Sequence, residues 1–192
     1  MDLNIDTLRR LINGCIEGKA SMQKEMYYTY YPILMKIGVR YANCKEDAEQ
    51  WVHDGFLKIF ENLNKFEYKG SFEGWIKKIM VRLCLDKIRA QNAQKNEVNK
   101  NTNIDFDEIQ SFSKWTVHNQ VLEKTSAEEV IHIMRGLPEK QRIVFNLYVF
   151  EEYNHKEISE YLSITENHSH WLLHQAKKNL KNIIKTDSTI AV

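Results

Sequence analysis

Between residues 167 and 178 the chain sets Asn167, His168, His170, Trp171, His174, Gln175 and Lys178 within a single stretch. Amide and imidazole groups at helical spacing can hydrogen-bond the edges of base pairs, and a lysine can meet a phosphate. His170 and His174 stand four residues apart, so on a helix they share a face and could grip a metal ion. The sequence places no carboxylate or thiol to complete such a shell, so solvent or nucleic acid is the better partner and no metal is expected. Asp86, Asp105 and Asp107 suggest no acid/base pair, and no glycine-rich phosphate loop exists. The chain reads as a binding protein without a cofactor and not as an enzyme.

Recognition residues need a rigid element beneath them, and the preceding sequence supplies one. Asn154 with Glu157 three residues on forms a capping box, which starts a short helix burying Ile158 and Leu162. Ser163-Ile164 then make a tight turn, and Thr165 caps a longer helix. One face of that helix carries Ser169, Leu173, Ala176, Leu180 and Ile184, and the polar set lies opposite. A short capped helix, a turn and a longer helix with a polar outer face form a helix-turn-helix, in which the first helix braces the second in a major groove. An ordinary helical hairpin is the plainer alternative. Leu137-Pro138-Glu139 marks an earlier helix start, with Pro138 expected at the first helical position.

Upstream the period is also helical. Leu8, Leu11, Ile12, Cys15 and Ile16 form one apolar stripe that ends at Gly18. A second helix is expected from Ser21 to Tyr41, kinked or broken at Pro32. A third starts near Lys45 and presents Ala48, Val52, Phe56, Ile59 and Leu63, with Trp51 and Phe60 at its edges. Ser71 caps a fourth that carries Phe72, Trp75, Ile76, Ile79, Leu83 and Ile88. The expected fold is all-α: a helical domain over residues 1–93, a flexible Asn-rich linker over 94–121, a second helical domain over 122–186 and a tail over 187–192. Ile104, Phe106, Ile109, Phe112 and Trp115 are sparse apolar anchors within the linker.

The net charge of +1 conceals a basic excess in one place. Residues 64–100 hold nine Lys/Arg against four Asp/Glu, whereas residues 101–136 hold three against six. Local charge governs phosphate contacts, which act over about a Debye length; a solvated helix face gives the same count. Cys15, Cys44 and Cys84 are odd in number and never paired as CxxC, which suits a reducing cytosol. The first residues have neither the basic nor the apolar segment of a signal peptide, and no apolar run approaches the ~20 residues of a membrane span. A cytoplasmic protein without membrane insertion is expected.

Four blocks in order resemble the extracytoplasmic-function group of the sigma-70 family. Tyr30-Tyr31-Pro32-Ile33-Leu34 with Arg40-Tyr41 is similar to the first conserved block. Glu46 through Lys58 resembles the helix that docks on polymerase. Phe72-Glu73-Gly74-Trp75-Ile76 with Leu85-Asp86-Lys87-Ile88-Arg89 resembles the promoter-melting helix. Leu137-Pro138 through Tyr148, followed by the helix-turn-helix, resembles the C-terminal DNA-reading domain.

The resemblance implies a subunit that directs core RNA polymerase to promoter DNA and is held inactive by an anti-sigma protein. It assigns polymerase docking to Asp47, Glu49, His53, Asp54 and Lys58, with Gln50 and His53 departing from the acid and glutamine usual there. It assigns −10 element capture to the loop residues Lys65, Phe66, Tyr68 and Lys69 and to Lys78, Arg82 and Arg89. Aromatic faces and cations are what a single strand requires, with stacking contributing roughly 1–3 kcal/mol per base. It assigns −35 contacts to Lys156, Asn167, His168, His170, Trp171, His174, Gln175 and Lys178, a cation-poor set for this family, which implies fewer phosphate contacts and an unusual sequence preference. Two other readings are a helix-turn-helix regulator that never docks on polymerase, which leaves the N-terminal domain without a task, and a decoy paralogue or interaction module.

Overall fold

The computed structural model describes residues 4–100 and 133–190, and every regular element within them is helical. Helix α1 (Ile5–Ile16) starts where the Asn4 side chain accepts from the Asp6 amide and buries Leu8, Leu11, Ile12 and Cys15. Ile16 is 51% exposed and not part of that stripe, because the helix ends there and Gly18, at φ +75°, turns the chain away. Helix α2 (Ala20–Tyr41) runs through Pro32 as one element instead of two. Proline inside a helix costs about 3 kcal/mol. The stripe Met26, Tyr30, Leu34, Ile37 and Tyr41 on both sides of it is buried, which offsets that cost.

Helix α3 (Lys45–Asn62) is capped by the Cys44 thiol, which accepts from the Asp47 amide at 3.4 Å. Trp51 belongs to its core face and not its edge, with 3% exposure. Gly38 lets α2 and α3 cross closely: a Cβ there would lie 3.2 Å from both the Ala48 carbonyl and a Val52 methyl. A 3-10 turn (Leu63–Lys65) and a loop lead to helix α4 (Phe72–Lys100), whose first turn is capped by Ser71 Oγ accepting from the Gly74 amide. Helix α4 buries Phe72, Ile76, Met80, Val81, Leu83, Cys84, Leu85 and Ile88 against α2 and α3.

The helical span of α4 includes residues 94–100, which their composition had assigned to the linker. Polar side chains leave a helix unanchored without breaking it, and no glycine or proline occurs between Gly74 and Gly136. The rest of the expected linker, with Ile104, Phe106, Ile109, Phe112 and Trp115, lies outside the described residues, as do residues 122–132 of the second domain.

The second body is built from helical residues 133–135 followed by α5 (Glu139–Val149), α6 (His155–Leu162) and α7 (Glu166–Ile190). Pro138 stands at the N-cap, one position before the helix, in extended conformation, and its carbonyl accepts from the Arg142 amide. The core is Met134, Leu137, Val144, Leu147, Ile158, Leu172, Leu173 and Ala176. Helix α7 runs on through residues 187–190, which were expected to be tail. The C-terminal end of α2 also touches α5, so the two bodies are in contact.

Candidate nucleic-acid interface and docking surface

The local sequence fixes the helix-turn-helix. Asn154 Oδ1 accepts from the Glu157 amide at 2.9 Å while Glu157 Oε2 accepts from the Asn154 amide at 2.8 Å, so the capping box closes in both directions. Ser163 ends α6 in the left-handed region, φ 54° and ψ 44°, and Thr165 Oγ1 accepts from the His168 amide to start α7. Ile158 is fully buried, whereas Leu162 is only half-buried. Ser169, Leu173 and Ala176 face inward as their spacing requires, joined by Leu172. Asn167, His168, His170, Trp171, His174 and Lys178 are exposed and Gln175 is half-exposed, so the recognition set shares one open face, with Lys156 exposed on α6 before it. Trp171 presents 53% of its surface to solvent.

His155, which the sequence reading passed over, pins this motif together. Its ring stacks on Tyr148 from α5 at 4.7 Å and on His170 from α7 at 3.6 Å, and its Nδ1 lies 2.9 Å from Ser169 Oγ. Burial, and next the neighbouring His170, hold His155 below the ordinary imidazole pKa. The signal in the sequence was His155 at the first helical position after Asn154, where an exposed residue is usual. His170 thus packs one ring face on the scaffold while staying exposed at its edge. Among the described residues, no group of three or more His, Cys, Asp or Glu side chains is placed to hold a metal ion.

In the N-terminal body, the loop after the 3-10 turn rests on an aromatic cluster. Phe66 packs 5.0–5.4 Å from Tyr68, Phe72 and Trp75 and is 7% exposed. The structure therefore makes Phe66 the floor of the loop and not a platform open to a base. Tyr68 lies above it, half-exposed, at φ 58°, with the Arg9 guanidinium of α1 5.3 Å from its ring centre. Lys65 and Lys69 flank the ring, bonded to Asn62 and Glu67. Lys78, Arg82 and Arg89, spaced by four and seven, continue as an exposed row along α4. Arg89 is engaged: it bonds Asp86 and also donates to the Tyr161 carbonyl of α6 at 2.6 Å.

On α3, Glu49, His53 and Lys58 are exposed and Asp47 and Asp54 are half-buried. Asp54 is ion-paired to Lys87 of α4 at 2.6 Å and accepts from Gln50 at 3.0 Å, and the Lys87 hydrogen bond holds its carboxyl below the usual range despite partial burial. Asp54, Lys58 and Lys87 border a groove between α3 and α4 together with Leu57, Glu61, Leu83 and Asp86, and Asp47, Glu49 and His53 lie outside its lining. Leu57 is 53% exposed at its rim. Its absence from the α3 core stripe is the one sign of this exposure in the sequence.

Both bodies of the chain are similar to known proteins. Sigma-70 region 2 matches residues 26–94 and Sigma-70, region 4 matches residues 127–180. A "Probable RNA polymerase sigma factor" of Haemophilus influenzae is 26% identical over 156 residues, covering 74% of this chain and 79% of that protein. RNA polymerase sigma factor YlaC of Bacillus subtilis is 24% identical over 162 residues, covering 82% and 89%. Among solved structures, the sigma factor RpoE in complex with the anti-sigma factor NepR, from Bartonella quintana, shares the fold at a TM-score of 0.56. Its identity is 13%, and 85% of this chain and 97% of that one are covered.

Proposed function

The chain belongs to the sigma-70 family, in its extracytoplasmic-function group, and is an RNA polymerase sigma factor; from that premise we propose how its surfaces divide the work. Helix α3, through Asp47, Glu49, His53, Asp54 and Lys58, docks on core polymerase, with the α3–α4 groove and exposed Leu57 continuing that surface. Tyr68 stacks a base of the −10 non-template strand above Phe66, and Lys65, Lys69, Lys78, Arg82 and Arg89 follow its phosphates. The open face of α7 reads the −35 element through Asn167, His168, Trp171, His174 and Gln175, with Lys156 and Lys178 on phosphates. His170 contributes its exposed edge. The protein supplies binding and positioning, and the polymerase supplies the chemistry.

No helix among the described residues is long and apolar enough to cross a membrane, and we place the protein with its polymerase in the cytoplasm. We assign it an anti-sigma partner by analogy with the complex formed by RpoE of Bartonella quintana. One observation carries the reading: a braced helix-turn-helix stands on one body, and on the other an exposed row of cations along α4 continues from a loop tyrosine seated on buried Phe66.

Run-off transcription with purified core polymerase and a promoter library tests it. Discrete start sites downstream of a shared −35/−10 pair are expected, with Trp171→Ala relaxing preference at −35 and Tyr68→Ala impairing melting at −10. A chain that forms no holoenzyme at micromolar concentrations overturns the reading.

A further inference from the structure

Arg9 of α1 belongs to none of the surfaces assigned to polymerase or DNA, yet it lies against the loop that carries Tyr68. Helix α1 is fixed in place there. Asn4 caps its start, Leu8, Leu11 and Ile12 are buried, and the helix packs on the 3-10 turn at Leu63. Arg9 is thus carried on a rigid element, exposed, with its guanidinium 5.3 Å from the centre of the Tyr68 ring. Among the described residues its N–H groups meet no carboxylate, carbonyl or amide. The two lysines beside the ring differ: Lys69 is held by Glu67 and Lys65 by Asn62, each at 2.7 Å. Tyr68 itself stands at φ 58°, a left-handed conformation that costs a residue with a side chain and that clusters at ligand clamps.

The spacing suits a flat guest. Stacked bases lie about 3.4 Å apart, so a base between the Tyr68 ring and a second flat group needs that group about 6.8 Å from the ring. From 5.3 Å the Arg9 guanidinium has to withdraw by about 1.5 Å, a small motion for a long, exposed side chain. Guanidinium planes stack on unpaired bases as aromatic rings do, and the cation is drawn to a π face. Steadying the loop is the plainer role for such a contact. Tyr68, however, already rests on buried Phe66 at 5.0 Å, and the Lys69–Glu67 pair ties the loop beside it. The match to Sigma-70 region 2 begins at residue 26, so Arg9 comes from a helix outside that match.

Resting on the reading of Tyr68 as a base platform, we propose that Arg9 is the second jaw of the capture slot: a base of the −10 non-template strand enters between the Tyr68 ring and the Arg9 guanidinium. In the free protein the cation covers the ring; in the complex it moves outward and stacks on the far face of the base. Its N–H groups then stay open to the flanking phosphate. A lysine keeps the charge but has no flat face to offer, so it is a poor substitute.

The test uses holoenzyme assembled from core polymerase and the full chain. The probe is fork-junction DNA carrying the −10 element selected by run-off transcription, with each non-template base replaced in turn by an abasic site. Arg9→Gln is expected to weaken fork binding about tenfold, and Arg9→Lys nearly as much. The loss should vanish when the captured base is abasic, and Arg9→Gln should still cost a few-fold in a Tyr68→Ala background. Three outcomes each overturn the jaw and leave the sigma reading intact. Arg9→Gln without effect is one. Equal losses on intact and abasic DNA would make Arg9 a plain phosphate contact, and no loss once Tyr68 is alanine would make it a prop for that ring. A Tyr68→Ala holoenzyme that holds fork DNA as tightly as the parent overturns the reading of Tyr68, and the jaw with it.

Discussion

His155 shows how one side chain ties stability to pH. Its ring is enclosed by Tyr148, His170 and Ser169, and burial, with His170 second, keeps its pKa below the ordinary value. Above pH about 6.5 the imidazole is neutral in both the folded and the unfolded chain, and its packing contributes in full. As pH falls from there through the lower folded value, the unfolded chain takes up the proton first and stability declines. The thermal midpoint of the C-terminal body is therefore expected to drop as pH falls below about 6.5. NMR titration should show this imidazole protonating below the ordinary histidine value, and His155→Gln should flatten the slope. Equal slopes in parent and variant would contradict this account. The same geometry links residue to the proposed function, since His170 is both a packing partner of His155 and a member of the face we propose for −35 recognition.

The brace of the helix-turn-helix acts at the scale of an element. Asn154→Ala removes an N-cap and half of a capping box, a loss of about 1 kcal/mol, and it loosens the start of α6 beneath the recognition helix. The expected outcome is weaker −35 binding with unchanged core affinity, since α3 and α4 are untouched. Ser163→Gly acts oppositely: a left-handed residue with a side chain is strained by roughly 1–2 kcal/mol, so glycine at φ 54° is expected to stabilise the C-terminal body by about 0.5–1 kcal/mol after its own entropy cost. Chemical denaturation checks both, and a destabilising Ser163→Gly would show that the serine makes an unrecognised contact. These elements were legible in advance because capping and turn chemistry are local: Asn154, Glu157, Thr165 and Ser71 do what their types and spacing dictate. Errors arose where packing or helix length decides. Ile16 is exposed because α1 ends there, and residues 94–100 are helical because nothing breaks the run. Phe66 was misread because a loop aromatic looks the same in sequence whether it faces a base or Phe72 and Trp75.

At the scale of the whole molecule, the seam between the bodies was illegible, since it joins residues such as Arg40 and Glu151 that are 111 positions apart and share no local pattern. Its energetics differ from those of a salt bridge in a single core. Removing one member of a buried pair ordinarily costs about 3–5 kcal/mol, because the other charge is left without a partner in a low-dielectric site. That cost applies only if the site stays closed. Here the Arg40 guanidinium regains water once the bodies separate, so the loss is capped by the free energy of opening, which unpartnered atoms on Arg40, Arg135, Arg142 and Asn146 lower and the apolar contact of Leu85 and Ile88 with Ile143 and Leu172 raises. Glu151→Ala is therefore expected to lower unfolding free energy in urea by no more than about 1 kcal/mol while raising the radius of gyration measured by small-angle scattering. Arg40→Met/Glu151→Leu, which replaces the pair with apolar side chains, should stay closed and scatter like the parent. A loss of about 3 kcal/mol or more in Glu151→Ala with unchanged dimensions would mean that the two bodies unfold before they part, and that this interface belongs to one cooperative core.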